Sequence, residues 1–248
     1  MSKAVRNIKT IRNPINSPEY EIIIPCAGIG NRMKYLGAKS LIEIIPNMSI
    51  IDYQLKMIHK YLKYNPKVIL VTGFEAPKVM NSTPQNLIHI ENPEYETTNV
   101  VRSIGLGLRA STTNNIIIIY GDLLFNEYAL RIPVREESIM VMENNNTMSR
   151  DEVGCTINKY IVEHIWYGLD NKWAQIIYLT GKELELFKSM CWNPVNYNKY
   201  TFEILNDVIT KGGIFKTLQP HKLKAMDIDC PNDIDKARKM FHDEYSKF

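Results

Sequence analysis

The chain has 248 residues, 45% of them hydrophobic and 23% charged, which is the composition of an ordinary globular protein and a length that suits one large domain. No apolar run approaches the ~18 residues of a membrane span, and no long apolar segment near the start marks a secretory leader. The formal charge is only +3, so neither nucleic-acid binding nor membrane insertion is expected.

Residues 1–18 carry Lys3, Arg6, Lys9 and Arg12 and no acid. They read as a solvated or loosely docked extension, residues 1–19, ahead of a single domain over 20–248. The four cysteines, Cys26, Cys155, Cys191 and Cys230, are far apart and form no paired motif. This argues against a zinc site or a disulfide framework and for a reducing cytoplasm. Cys26 and Cys230 are read as buried structural thiols.

Strands are expected at 20–26, 67–72, 86–91, 115–120 and 137–142. Runs such as NIIIIY, with no polar alternation, suit strands buried on both faces, as in a parallel sheet. Helical spacing of Ile50, Tyr53, Met57, Ile58 and Leu62 predicts a helix over 49–64. A second is predicted over 98–111, although two glycines weaken it. Alternation of this kind predicts a layered α/β fold: a Rossmann-like mixed, mostly parallel sheet flanked by helices. The texture then changes. Residues 153–180 alternate and are rich in β-branched and aromatic side chains, which predicts added mixed or antiparallel strands in a small β region at about 150–200. Further helices are expected after Gly181, at about 200–211, and over 233–245. The Asn run 144–146 reads as a turn.

The first predicted strand opens onto AGIGNRM, two glycines followed at once by a cation, with Lys39 seven residues after Arg32. A P-loop needs Gly-Lys-Ser/Thr and is excluded, since Asn31-Arg32 follow Gly30. The dinucleotide fingerprint needs a third glycine where Met33 stands and an immediate helix. A Gly-x-Gly pair alone is explained equally well by a tight turn.

The wider pattern resembles a family. Gly28, Gly30, Arg32, Met33, Lys39 and Leu41 match the opening signature of the nucleotidyltransferases that make sugar nucleotides and CDP-alcohols, with Ala38 in place of the usual proline. Three later segments agree in order: ENPEYETTNVVRSIGLGL with its Asn-x-x-x-Ser helix start, IIIIYGD with Gly121-Asp122, and MDIDCPND with Asp227 and Asp229. The resemblance covers about residues 20–240 and implies transfer of a nucleoside monophosphate to a phosphorylated acceptor with release of pyrophosphate. It places the base near Ala27, Gly73 and the Thr98–Ser103 segment, with Asn99 and Ser103 as hydrogen-bonding candidates. CTP is the favoured nucleotide.

The residue chemistry supports the same reading. Glycines at 28 and 30 let backbone N–H groups approach a polyphosphate. The Arg32 fork suits the departing β- and γ-phosphates, and Lys39 is a compact charge for the α-phosphate. Asp122 ends an apolar strand, where ligands of open α/β sheets bind. Asp227 and Asp229 would share a face if both lay on one strand, which calls for a cation between them. Asp122 and Asp229 are therefore assigned as ligands of Mg²⁺ or Mn²⁺, with Asp227 second in rank. Asp233 reads as the start of the last helix. No general base is needed, because a phosphate monoester is largely ionised above its second pKa of ~6, and the five histidines are read as structural. Trp166 and Trp173, with neighbouring tyrosines, are candidates for an aromatic cage around a quaternary ammonium, as in phosphocholine. Packing of the added sheet, or a homodimer interface, is the alternative use of these rings. The rival functions are a glycosyltransferase that uses a nucleotide sugar and a nucleotide-binding module without chemistry.

Overall fold

A computed structural model describes residues 19–62, 66–143 and 150–248. Residues 1–18 and the Asn run 144–146 lie outside the described residues, as do residues 63 and 64 of the helix expected over 49–64. The elements in chain order are β1 (Glu21–Pro25), β2 (Glu43–Ile45), β3 (Met48–Ser49), α1 (Ile50–Tyr61), β4 (Val68–Thr72), α2 (Ala76–Ser82) and β5 (Ile88–Glu91). They continue with α3 (Val100–Ala110), β6 (Asn115–Ile119), β7 (Leu123–Phe125), β8 (Ile139–Glu143), β9 (Val153–Asn158) and β10 (Ile161–Tyr167). The last are β11 (Asn171–Thr180), α4 (Gly181–Cys191), α5 (Thr201–Thr210), β12 (Lys216–Leu218), β13 (Ala225–Asp227), α6 (Pro231–Met240) and α7 (His242–Tyr245).

A nine-stranded sheet in the order β5-β4-β1-β6-β11-β8-β12-β10-β9 divides the molecule. Its first four strands are parallel. From β6 onward the pairing is antiparallel except for β8 with β12. The sheet is mixed, as expected, but parallel pairing dominates only its first half. The added strands are antiparallel among themselves and join the same sheet: β11 pairs directly with β6 and carries it onward. One long strand of β-branched and aromatic residues can bond the open edge of β6, and that spares both edges from water.

Period-2 alternation sorts the central strands between two cores. Ile22, Ile24, Ile117 and Ile119 face α1, α6 and α7, whereas Ile23, Ile116 and Ile118 face α3, α4 and α5. Helix α1 starts at a capping box in which Ser49 and Asp52 satisfy each other's backbone N–H groups. In α3 the glycines are a packing device: a Cβ on Gly107 would stand 2.7 Å from the Ile23 side chain, so the helix lies close on β1. The expected C-terminal helix is broken into α6 and α7 at Phe241, which is fully buried against Tyr53. Cys155 and Cys191 are buried, but Cys26 and Cys230 are only half-buried, and all four are free thiols. Among the described residues no helix is long and apolar enough to cross a membrane.

Ile118 sits fully buried in the second core. Ile118→Ala should therefore cost roughly 2–5 kcal/mol in urea unfolding.

Candidate active site

Strand β1 ends at Pro25, between β4 and β6, and its exit loop is fixed by both neighbours. Cys26 N–H donates to the Val71 carbonyl at 2.8 Å, and Gly121 N–H donates to the Pro25 carbonyl at 3.2 Å. A Cβ on Gly28 would meet nothing within 4 Å, so this glycine faces open space. Gly30 is different. Its backbone is left-handed (φ 63°), and a Cβ there would lie 2.8 Å from Cγ of Lys39. The glycine leaves a passage for the lysine stem. Met33, fully buried, anchors the far side of the turn.

Through that passage the Lys39 ammonium reaches Asp122 Oδ2 at 3.0 Å and Asp229 Oδ1 at 2.5 Å. Burial works against its charge, but the two carboxylates outweigh it and raise the Lys39 pKa. Asp122 is positioned from behind by Gln54 of α1. This fully buried amide donates to the carbonyls of Tyr120 at 2.7 Å and Leu123 at 2.6 Å, on either side of the aspartate. Asp229 lies two residues beyond β13, which ends at Asp227. Strand alternation therefore does not relate the two, contrary to expectation. A turn does instead: Asp233 Oδ2 accepts from the N–H groups of Asp229 at 3.1 Å and Cys230 at 2.8 Å. Ile228 N–H donates to the Asp122 carbonyl at 3.0 Å, which ties the two acidic segments together. Burial, then Asp122 and Asp229, push Asp227 up to about 6.

Two carboxylates thus hold one ammonium group, with Asp227 close enough to Asp122 and Asp229 to feel their charge. Their oxygen donors fit Mg²⁺ or Mn²⁺, and two carboxylates face the single charge of Lys39. Among the described residues no three acidic, histidine or cysteine side chains already converge as a finished ligand set. The Lys39 ammonium stands between Asp122 and Asp229 itself.

Beside this cluster opens a cavity of about 250 Å³. Ala27, Gly28, Gly30, Lys39, Asn99, Ser103, Gly121 and Asp122, all expected at the site, line it. Gly73 does not. A Cβ on it would lie 2.7 Å from the Ala27 carbonyl and from Tyr95, so it supports the wall from behind. Arg32 is exposed on the turn after Gly30, outside the cavity lining, and makes no hydrogen bond or ion pair with the described residues. Trp173 is 2% exposed and packs edge-on against Tyr120 at 5.9 Å, which removes it from any ligand cage. Trp166 is 49% exposed. It meets Phe202 edge-on at 5.4 Å, and Tyr200, part of the cavity lining, stacks on the same Phe202 at 5.6 Å.

Sequence reasoning missed Asn92, Tyr95 and Tyr120 in the lining. Asn92 is buried and donates to Ser103 Oγ at 3.1 Å. The available signal was its position, one residue past a strand of the parallel half. An ionised Asp227 costs stability in the folded chain. The cost develops as pH rises from the unfolded value of 3.8 toward about 6 and is constant above that. Without divalent cations, Asp227→Asn should accordingly unfold at higher urea at pH 7.5, by roughly 2–3 kcal/mol, and match wild type near pH 3.5.

No family model matches the chain. The bifunctional protein GlmU of Methanococcus maripaludis is 28% identical over 170 residues, covering 66% of this chain and 36% of that protein. The chain thus spans little more than a third of the length of this curated relative. The solved CTP:phosphocholine cytidylyltransferase from Streptococcus pneumoniae superposes with a TM-score of 0.72 at 16% identity, over 90% of this chain and 99% of that one. The inositol-1-phosphate CTP transferase from T. maritima gives 0.71 at 16% identity, over 90% and 98%. With Lys39 and the carboxylates gathered at the carboxyl ends of the parallel strands, these likenesses make the chain's fold that of the nucleotidyltransferase family.

Proposed function

We propose that the chain transfers a nucleoside monophosphate, CMP by preference, from a nucleoside triphosphate to a phosphorylated small acceptor. An acceptor phosphate oxygen attacks the α-phosphorus in line. The bond from that phosphorus to the bridging oxygen breaks, and pyrophosphate leaves with the electron pair. The observation that carries this reading is the Lys39 ammonium, held at 3.0 Å from Asp122 and 2.5 Å from Asp229 beside a cavity of about 250 Å³. The acceptor is ionised at neutral pH, so the step needs position and charge rather than a base.

Each residue then has a part. Gly28 leaves the cavity open for the triphosphate, and the Lys39 ammonium bears on the α-phosphate. Arg32, exposed on its turn, reaches in to the leaving phosphates. The wall at Asn99 and Ser103 takes the base and ribose. Asp122 and Asp229, with Asp227 beside them, would hold Mg²⁺ or Mn²⁺, which supplies positive charge against the phosphate oxygens. The CTP preference rests on the two solved relatives of this fold that use CTP.

The acceptor lies toward the aromatic shelf of Trp166, Tyr167 and Tyr200 around Phe202. Two of these rings stand half exposed, and their faces suit a quaternary ammonium by cation–π attraction. Phosphocholine or a related phospho-amine is the favoured acceptor, ahead of a sugar 1-phosphate.

A panel of nucleoside triphosphates against phosphocholine, phosphoethanolamine, 2-aminoethylphosphonate and hexose 1-phosphates, scored by pyrophosphate release, tests the reading. Release of a nucleoside diphosphate from a nucleotide sugar would instead point to a glycosyltransferase. Lys39→Ala should lower turnover by at least ~10²-fold, the scale of one lost electrostatic stabiliser. A variant that turns over like wild type would overturn the assignment. Chelation with EDTA should stop transfer and added Mg²⁺ restore it, whereas Trp166→Ala should raise KM for phosphocholine with little change in kcat.

A further inference from the structure

Glu75 occupies the turn between β4 and α2 in the left-handed region (φ 52°, ψ 33°). A residue with a long side chain is strained there, and such strain persists only where surrounding contacts hold it. Its side chain does not cap α2. Instead Oε2 accepts the Ala38 N–H at 3.0 Å, across 37 residues of chain. The Lys78 ammonium donates to Oε1. These two contacts, Lys78 first, hold the carboxyl below the usual carboxylate range.

Ala38 immediately precedes Lys39 and is 1% exposed, so with Glu75 in place the carboxylate, not water, satisfies its N–H. Its neighbour Gly37 is left-handed (φ 89°), and a Cβ there would stand 2.7 Å from the same Oε2. The loop is bare at the point where Glu75 enters. The single turn of helix that follows, Lys39–Leu41, has no side-chain cap of its own.

We propose that Glu75 is a positioning residue for Lys39: by pinning the Ala38 N–H it fixes the start of the turn that aims the ammonium between Asp122 and Asp229. The inference rests on the reading of Lys39 as the phosphate-facing cation. Substrate does not touch Glu75; its effect passes through one backbone hydrogen bond.

Three variants separate this role from a merely structural one. Glu75→Asn keeps a side chain that tolerates the left-handed region, but it is one methylene too short to reach Ala38. Glu75→Gln keeps both length and acceptor. Ala38 has φ −61° and ψ 126°, which proline adopts without strain. In the double variant Glu75→Asn/Ala38→Pro a ring therefore replaces the hydrogen bond and leaves no N–H to satisfy.

Deuterium exchange of the 36–42 segment in the free protein, thermal melting, and steady-state pyrophosphate release are the readouts. Glu75→Asn should exchange that segment at least about tenfold faster at an unchanged melting temperature. It should also lose about tenfold in kcat with little change in acceptor KM, the scale of a misplaced reacting group. Glu75→Gln should behave as wild type, and the proline double variant should recover both protection and turnover. Wild-type exchange in Glu75→Asn would overturn the proposal. So would a loss of turnover that accompanies a fall in melting temperature and that the proline does not repair. Exchange is read on the free protein, so a wild-type chain that transfers no nucleotide would sink the proposed function while the exchange arm still decides on Glu75.

Discussion

Two carboxylates from different halves of the chain meet across one ammonium group, and the surrounding structure is arranged to hold that meeting. Asp122 arrives at the end of β6 and Asp229 after β13, 190 residues from Lys39. Like charges brought this close repel unless a cation intervenes. Lys39 supplies one positive charge against the two carboxylates it touches. The site is therefore electrostatically incomplete by itself. That is a sensible state for a centre whose partners would be a divalent cation and a polyphosphate, since binding both relieves the imbalance.

Rigid elements keep the cluster from collapsing or drifting. Gln54 is the clearest case: one buried side chain from α1 bonds two carbonyls that bracket Asp122, so the helix and the loop move together. Asp233 does the same for Asp229 through a helix start. The parallel half of the sheet supplies the place. Loops leaving β1, β5 and β6 open at one edge, where the cavity lies. The antiparallel half instead supplies the aromatic shelf, and continuity of β6 with β11 joins the two in one sheet. Tyr200 links the two, since it lines the cavity and stacks on Phe202 of the shelf.

The glycine loop shows how a motif can be read for one reason and built for another as well. Gly28 faces open space, as a ligand cradle requires, whereas Gly30 makes room for the stem of Lys39. A substitution at Gly30 would displace the lysine before it touched any ligand. Trp173 carries a related lesson. Its composition-level appeal as a cage residue ends with its burial behind Tyr120, while Trp166, of identical chemistry, stays at the surface.

Local patterns determined much of this molecule. Runs of isoleucine fixed the strands of the first half because only strands buried on both faces sustain them, and the spacing in α1 and α3 fixed those helices. The loop residues Gly28, Gly30 and Lys39 were legible through the family signature they resemble, and Asp122 also because it follows an apolar run. What tertiary structure decided was everything set by long-range approach. The pairing order beyond β6, the short strands β7, β12 and β13, the break at Phe241, and the places of Asn92, Gly73 and Trp173 depend on which surfaces pack together. No window of sequence records that choice. The Glu75–Ala38 bond is of the same kind: two segments 37 residues apart meet only because β1 and β4 are neighbours, and hydrogen bonds across a fold obey distance in space rather than along the chain.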